Sequence, residues 1–531
     1  MATVQLAHNA VVAKLIDPSR EVAAFATSLL SYQVDAGLGG SWSGKSSFYD
    51  VITNTFPAGF VHLMQAELTR IGHTVNRICR PHASPLGPEN PIVDEFGNDD
   101  PDYDYQMKAL RQVEKHGAGI IRVATGGGKS KIAKLIMARY RRMTLFLTTR
   151  GILLYQMDDQ LKAIGLNTGQ IGDGEMRVVR GVNLGMVQTL VQALQVPDLG
   201  VERRAIVKSI HLSKNKNADM SNEEITRLAQ EAFDRKTRRR NEVLQILSLI
   251  EVVIGEEAHE AGGDSYYEIL RHCKNATIRV ALTATPFMRD SAADNMRLMA
   301  AFGPILINIP EELLIQRGIL AKPIFKFADV PAPEKLRKTS PFERAYELGY
   351  VENPHMHAQA VTDAKMAAIY RLPVLTLIAR KKHGTNLLKL YKDAGLTYEF
   401  LKGEDDQDAR RTQLKRLAAG KLDGVIGTTI LDVGVDVPAI ALVQLIGGMK
   451  AEVQLRQRIG RGLRRKKRGP NVTFIADYSC NLNTYLRDHA RQRENIVRNT
   501  PGFVEGILPA GQDFDWSIFA ANRGAAEGIA A

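Results

Sequence analysis

Continuous apolar runs over residues 119–124, 144–148, 251–254 and 278–282 are separated by stretches in which apolar positions recur three and four apart, as at Ile132, Leu135 and Ile136. Runs without polar alternation are the pattern of strands buried on both faces, and the spaced positions between them are that of helices. Their alternation predicts a parallel α/β sheet over residues 105–310. Residues 311–352 are rich in Pro and charge and are expected to be a connector. The alternation then restarts, with strands expected at 373–379, 398–401, 424–428, 441–446 and 472–476 and helices at 385–393 and 407–418, giving a second α/β domain over 353–480. Upstream, residues 1–85 carry helical stretches at 21–30 and 59–71 and are expected to form a small accessory α+β domain that binds DNA. Residues 86–104, including Asn98-Asp99-Asp100-Pro101, have linker chemistry. Residues 481–531 form a C-terminal extension with a basic helix at 485–497 and an Ala/Gly-rich end from Gly524 that is expected to be mobile. Whether this extension docks on the second domain is open.

Charge changes the picture more than length does. The 531 residues suffice for three or four domains at about 150 residues each. A net charge of +12 favours a polyanionic partner. Cys79, Cys273 and Cys480 have no metal-ligand spacing, so each is expected to be a buried small apolar residue in a reducing, cytoplasmic compartment. Residues 1–15 lack the charged start and apolar core of a secretion signal, and no apolar run approaches the length of a membrane span. The expectation is a soluble protein, with no membrane partner.

Candidate chemistry begins where the run at 119–124 meets Thr125-Gly126-Gly127-Gly128-Lys129-Ser130. A strand running into a glycine turn that ends in Lys-Ser, followed by a helix, is a phosphate-binding loop. Glycines let successive N–H groups face phosphate oxygens, Lys129 adds a point charge, Ser130 is placed to ligate Mg2+, and the helix N-terminus faces the nucleotide. A second match, Gly39-Gly40-Ser41-Trp42-Ser43-Gly44-Lys45-Ser46, fits the G-x-x-x-x-G-K-[ST] spelling more literally. It is rejected because no buried strand precedes it and Trp42 would crowd a phosphate; a flexible or nucleic-acid-contacting loop is expected there. In Val252-Val253-Ile254-Gly255-Glu256-Glu257-Ala258-His259, two carboxylates directly follow a buried strand. Glu256 is the candidate Mg2+ ligand and Glu257 the base that orients and deprotonates the attacking water.

Together these motifs resemble the superfamily-two helicases and translocases of the DExH type, over roughly residues 103–480. The resemblance implies two tandem RecA-like parallel-sheet domains with ATP between them, a nucleic-acid-stimulated ATPase, and Mg2+ as cofactor. Glu256-Glu257-Ala258-His259 stands where the family has Asp-Glu-x-His, so the metal arm is one methylene longer. Tyr105-Gln106 resembles the adenine-reading element. Thr283 and Thr285 of Leu282-Thr283-Ala284-Thr285-Pro286 resemble, with His259, the segment coupling hydrolysis to nucleic-acid grip. Residues 427–438 are similar to the fifth motif, in which Thr428 would touch the nucleic-acid backbone and Gly434 and Asp436 face the nucleotide. Residues 457–464 match the sixth, with Arg461 and Arg464 as arginine fingers and Gln457 linking them to the cleft. Beyond Arg464 and Arg465, Lys466, Lys467 and Arg468 are expected to be a solvated basic run. Thr149-Arg150 and Val187-Gln188-Thr189 resemble backbone-gripping segments, so Arg150, Gln188 and Thr189 are candidate nucleic-acid contacts.

The stretch 201–249, with Lys214, Lys216, Arg235, Lys236, Arg238, Arg239 and Arg240, is expected to be a basic helical insertion, either solvated or lying along duplex phosphate. With the N-terminal domain and the look of residues 56–60, this layout most resembles the phage UvsW-type helicases, which remodel branched DNA. The resemblance implies a monomeric DNA helicase or branch-migrating translocase. An RNA helicase, the motor of a restriction system, and a catalytically silent nucleic-acid-binding protein are the alternatives.

Overall fold

Val4 and Leu6 of Thr3–His8 (β1) and Ala13 and Leu15 of Val12–Ile16 (β2) are buried on one face, and the two strands pair antiparallel with Leu6 opposite Leu15. The computed structural model describes residues 3–33, 44–212, 220–259, 262–287, 292–402, 407–428, 440–447, 452–466 and 469–521. Helix Arg20–Leu29 (α1) follows, capped where Ser19 Oγ accepts from Val22 N. Next come a small hairpin of Ser31–Gln33 (β3) and Lys45–Ser47 (β4), then Thr55–Pro57 (β5), Val61–Arg70 (α2) and Thr74–Cys79 (β6). The four-stranded sheet has the order β5-β2-β1-β6. Leu6, Leu15, Phe56, Phe60 and Met64 fill its core, which Ala300 joins. At Gly59 the backbone approaches so closely that a Cβ would lie 2.1 Å from Met299 O.

The chain divides into two compact units, residues 1–122 with 129–308, and residues 123–128 with 309–531. After the linker, helix Asp104–His116 (α3) leads to Ala118–Val123 (β7), Lys129–Tyr140 (α4), Thr144–Thr148 (β8) and Gly151–Ala163 (α5). Thr168–Gly172 (β9), Glu175–Arg177 (β10), Val182–Met186 (β11) and Val187–Leu194 (α6) come next. Helices Leu199–Leu212 (α7) and Asn222–Leu249 (α8) occupy the basic stretch, and Lys214 and Lys216 lie outside the described residues. Val252–Glu256 (β12), Gly262–Leu270 (α9), Ile278–Thr283 (β13), Ala292–Phe302 (α10) and Ile305–Ile309 (β14) complete the domain. The eight-stranded sheet runs β10-β9-β11-β8-β12-β13-β7-β14, and the strands from β9 to β7 pair in parallel. Every residue of β8, β12 and β13 is buried, as the continuous apolar runs require.

In the second domain, Glu311–Gln316 (α11) and Lys322–Asp329 (β15) lie within residues 311–352, where the sequence suggests only a connector. β15 pairs in parallel with a strand more than a hundred residues later and closes the edge of its sheet. The rest is Phe342–Tyr346 (α12), a π-helical turn Glu347–Val351, Pro354–Ile369 (α13), Val374–Leu377 (β16), Lys381–Asp393 (α14), Tyr398–Leu401 (β17) and Gln407–Ala418 (α15). Gly424–Gly427 (β18), Leu442–Leu445 (β19), Glu452–Gly462 (α16), Val472–Ser479 (β20) and Thr484–Arg498 (α17) follow. All pairings in the order β15-β20-β19-β16-β18-β17 are parallel. The C-terminal extension docks on this sheet. Arg493 grips Asp477 of β20 with two bonds of 2.8 and 2.7 Å, and Phe514, Trp516 and Phe519 pack around Phe474. The Ala/Gly-rich end from Gly524 lies outside the described residues.

Cys273 and Cys480 are buried, but Cys79 is exposed at the end of an outer strand, so the expectation of three buried cysteines is corrected there. No helix among the described residues is long and apolar enough to cross a membrane.

Candidate functional site

The glycine turn after β7 takes the conformation that its composition suggests. Gly126 and Gly128 lie at φ 88° and 82°, in the left-handed region, and Gly127 N donates to Ala124 O at 3.0 Å. A Cβ on Gly127 would lie 2.6 Å from Val123 Cγ1. Thr125 is half-buried and Gly126 exposed, and α4 begins at Lys129, which leaves its first N–H groups outside the helical ladder. Such a turn can cradle an anion.

At the end of β12, Glu256 is buried and its carbonyl accepts from Tyr266 OH at 2.9 Å. Glu257 follows with φ 43°, an uncommon conformation for a non-glycine residue, stabilised here by its contacts. Its Oε1 accepts from Lys129 Nζ at 2.5 Å and its Oε2 lies 3.4 Å from His259 Nδ1. Burial alone would raise the Glu257 carboxyl, but Lys129 and His259 outweigh it and hold it below its ordinary value. His259 Nδ1 is 2.8 Å from Thr283 Oγ1 at the end of β13, and Thr283 Oγ1 accepts from Thr285 N at 3.2 Å. A series of close polar contacts therefore runs from Lys129 through Glu257 and His259 to the segment after β13. Arg122 adds a parallel tie, its Nε donating to Ala284 O at 3.3 Å. Its place on an otherwise apolar strand is the only sequence signal for it.

No cluster of three or more His, Cys, Asp or Glu among the described residues has metal-cage geometry. That fits Mg2+, which is commonly held by one or two protein oxygens together with substrate phosphates and waters. Ser130 lies in the first turn of α4 and Glu256 ends β12, and the buried Glu257 Oε2 has no hydrogen-bond partner.

The other candidates are distributed along the fold. Tyr105 and Gln106 are buried in the first turn of α3. Arg150 is the N-cap residue of α5, and its charge also lowers the Glu257 carboxyl. Gln188 is exposed and Thr189 half-buried in the first turn of α6, and Thr428 is buried just past β18. Gly434 and Asp436 lie outside the described residues. Gln457 and Arg461 are on α16, whose backbone is described there, and Arg464 follows it with its guanidinium pKa lowered by burial. Lys466, expected in a solvated run, is turned inward. Its Nζ donates to Gly462 O and Thr473 Oγ1 at 2.7 Å and to Arg464 O at 3.2 Å, and burial lowers its pKa to about 7. Two carbonyls at the end of α16 and the Thr473 hydroxyl of β20 are the reason for the correction, since a lysine there satisfies orphan carbonyls that no spacing rule reveals. Lys467 and Arg468 lie outside the described residues.

Residues 101–288 match the family model described as type III restriction enzyme, res subunit, and residues 371–466 match the helicase conserved C-terminal domain. Putative helicase 22 of Sulfolobus islandicus filamentous virus is 24% identical over 290 residues, covering 51% of this chain and 50% of that protein. The chain thus spans about half the length of that relative. The solved structure of T4 UvsW is similar over 96% of this chain and 99% of its own at 16% identity and a TM-score of 0.42. The DUF1998 helicase MrfA, solved bound to DNA, is similar over 79% of this chain and 53% of its own at 12% identity and a TM-score of 0.50. The fold is that of two RecA-like α/β domains with a small N-terminal α+β region.

Proposed function

We propose, from the premise that the chain belongs to the superfamily-two helicases and translocases, that it is an ATP-dependent DNA helicase or translocase that remodels branched or duplex DNA. What supports this reading is the series of close polar contacts Lys129–Glu257–His259–Thr283, which ties the loop lysine to the strand-end motifs within one domain. Residues 126–130 bind the phosphates of ATP, with Tyr105 and Gln106 on the adenine side. Ser130 and Glu256 would hold Mg2+, which would supply charge neutralisation for the transferred phosphoryl group. Glu257 orients the attacking water and accepts its proton. Its depressed pKa keeps it ionised, and therefore able to accept, on the acid side of neutrality. Arg461 and Arg464, on the domain that lacks α4, stabilise the γ-phosphate in the transition state, with Gln457 positioning them and Gly434 and Asp436 facing the nucleotide. His259, Thr283 and Thr285 relay nucleotide state to the grip of Arg150, Gln188, Thr189 and Thr428 on the nucleic-acid backbone.

The net charge of +12 favours a nucleic-acid partner of either kind, and MrfA, similar in fold, was solved bound to DNA. The test is ATP hydrolysis by the whole chain at one moderate salt concentration, with no nucleic acid, single-stranded DNA, duplex, a four-way junction or RNA. Strongest stimulation by the junction is expected, with Lys129→Ala inactive throughout. Stimulation mainly by RNA would replace the DNA reading with that of an RNA helicase. Turnover indifferent to every nucleic acid would overturn both.

A further inference from the structure

A cavity of about 410 Å³ lies where the N-terminal sheet meets the ATP-binding domain, both within the first unit. It is remote from the phosphate loop. Ala118, the first residue of β7, lines it, whereas the loop leaves the other end of that strand, about 17 Å away at roughly 3.3 Å per residue. Four histidines from four different elements converge there. His8 ends β1, His62 starts α2, His82 lies in the segment after β6, and His116 ends α3. Arg77, Arg80 and Lys274 complete the polar lining, and no Asp or Glu among the described residues lines it.

The arrangement suits an anion and not a metal. No group of three or more of these imidazoles has metal-ligand geometry. Arg77 bonds His8 Nε2 at 3.0 Å, and its buried Nε has no hydrogen-bond partner. Arg279, at the floor, is committed to the carbonyls of Ala276, Cys273 and Leu270 at 2.8, 2.9 and 3.2 Å and so serves the fold. Burial, and then neighbouring cations including Arg77, hold all four imidazoles below their ordinary pKa. At neutral pH the positive charge of the site therefore comes from Arg77, Arg80 and Lys274, while the uncharged rings supply hydrogen-bond donors around them. Arg80 and Lys274 are exposed at the rim, whereas the histidines are half-buried. A basic rim open to solvent admits a group carried on a long polymer.

We infer that this cavity is a phosphate-binding site that holds a backbone phosphate of the nucleic acid, giving the N-terminal domain its own grip on the strand apart from the motor motifs. The inference rests on the nucleic-acid reading above. A free mononucleotide or inorganic phosphate shares the same chemistry, and the test separates these sources.

The full chain is compared with the double variant Arg80→Glu/Lys274→Glu, both positions being exposed rim residues outside the ATP site. ATP hydrolysis without nucleic acid is expected to be equal in the two, which checks folding. The concentration of a labelled single strand needed for half-saturation is expected to rise at least about tenfold in the variant. The log–log salt slope should become shallower by roughly 0.7 for each single-strand phosphate that the variant no longer neutralises. In parallel, acylation of His62 and His82 by diethyl pyrocarbonate, read by peptide mass spectrometry, should slow in the wild-type chain when the strand is bound. Unchanged affinity with no histidine protection would overturn the inference while leaving DNA-stimulated hydrolysis intact. Protection by dAMP or inorganic phosphate but not by the strand would overturn the nucleic-acid source and leave a small-phosphate site. If the wild-type chain binds no nucleic acid at all, the functional reading fails together with the site.

Discussion

The two RecA-like domains bury polar groups in opposite places. In the first, the charge pair stands at strand ends: Lys129 and Glu257, both half-buried, meet just beyond β7 and β12, while the arginines on strands, Arg122 of β7 and Arg279 of β13, donate to backbone carbonyls. In the second, they stand in the core. Gln444 of β19 accepts from Thr376 and Tyr391 at 2.8 and 2.7 Å, and its amide donates to Ala360 O at 2.7 Å and Tyr478 OH at 3.1 Å. Tyr478 then donates to Asp363 at 2.6 Å, which Lys326 of β15 holds at 2.8 Å while also reaching Asp513 of the C-terminal extension. On the proposed function, one copy of the fold places a charge pair for chemistry at its strand ends, while the other ties a side-chain network through its core for cohesion. A buried network costs little only when every member is satisfied, so the second domain is exposed to single substitutions that the first would not feel.

The strongest way to break this comparison is Glu257→Gln. It should lower turnover by roughly 10²–10⁴, the range for a lost general base, while ATP binding and the thermal midpoint stay near those of the original. Substantial unfolding instead would mean that the strand-end charges are structural after all. Next is Lys326→Met, which leaves Asp363 buried without its cation. A loss of about 3–5 kcal/mol in chemical denaturation is expected, with much of it regained in Lys326→Met/Asp363→Asn. Equal stability of single and double variants would remove the cohesive role.

A smaller effect concerns Lys466. Its pKa falls from about 10.4 in the unfolded chain to about 7 in the fold, so between those values the unfolded state binds more protons and stability rises with pH. Below about pH 7 that gain is gone. Denaturation of Lys466→Met should show a flatter pH dependence from about pH 7 to 10 than the original. Least affected should be Lys45→Ala, in β4 of the N-terminal domain, whose ATP turnover is expected to be nearly intact.

Those four positions also mark where the sequence was legible. β17 at Tyr398–Leu401 and β7, β8, β12 and β13 of the first domain coincide with apolar runs, whereas β9, Thr-Gly-Gln-Ile-Gly, is as fully buried without one. β15 was hidden as well. Pro323 and Lys326 break the run, and a proline is tolerated there because β15 is an edge strand, while the lysine is tolerated because Asp363 neutralises it from a helix 37 residues on. The phosphate loop and acidic pair were legible as motifs, since both depend on neighbours in the chain. The histidine cavity was not, because His8, His62, His82 and His116 are brought together only by the packing of β1, α2 and α3 against the ATP-binding domain.

The docking of the C-terminal extension has a consequence for synthesis. The first domain has its last strand by Ile309, but the face of β20 around Phe474 is covered by residues as late as Phe519, about 210 residues further along. At roughly 5–20 residues per second, a nascent chain spends about 10 to 40 s with the second sheet translated in part and its aromatic cover still inside the ribosome. Within that interval Lys326 waits for Asp513, whereas Phe474, made 45 residues before Phe519, waits only about 2 to 9 s for its last ring partner.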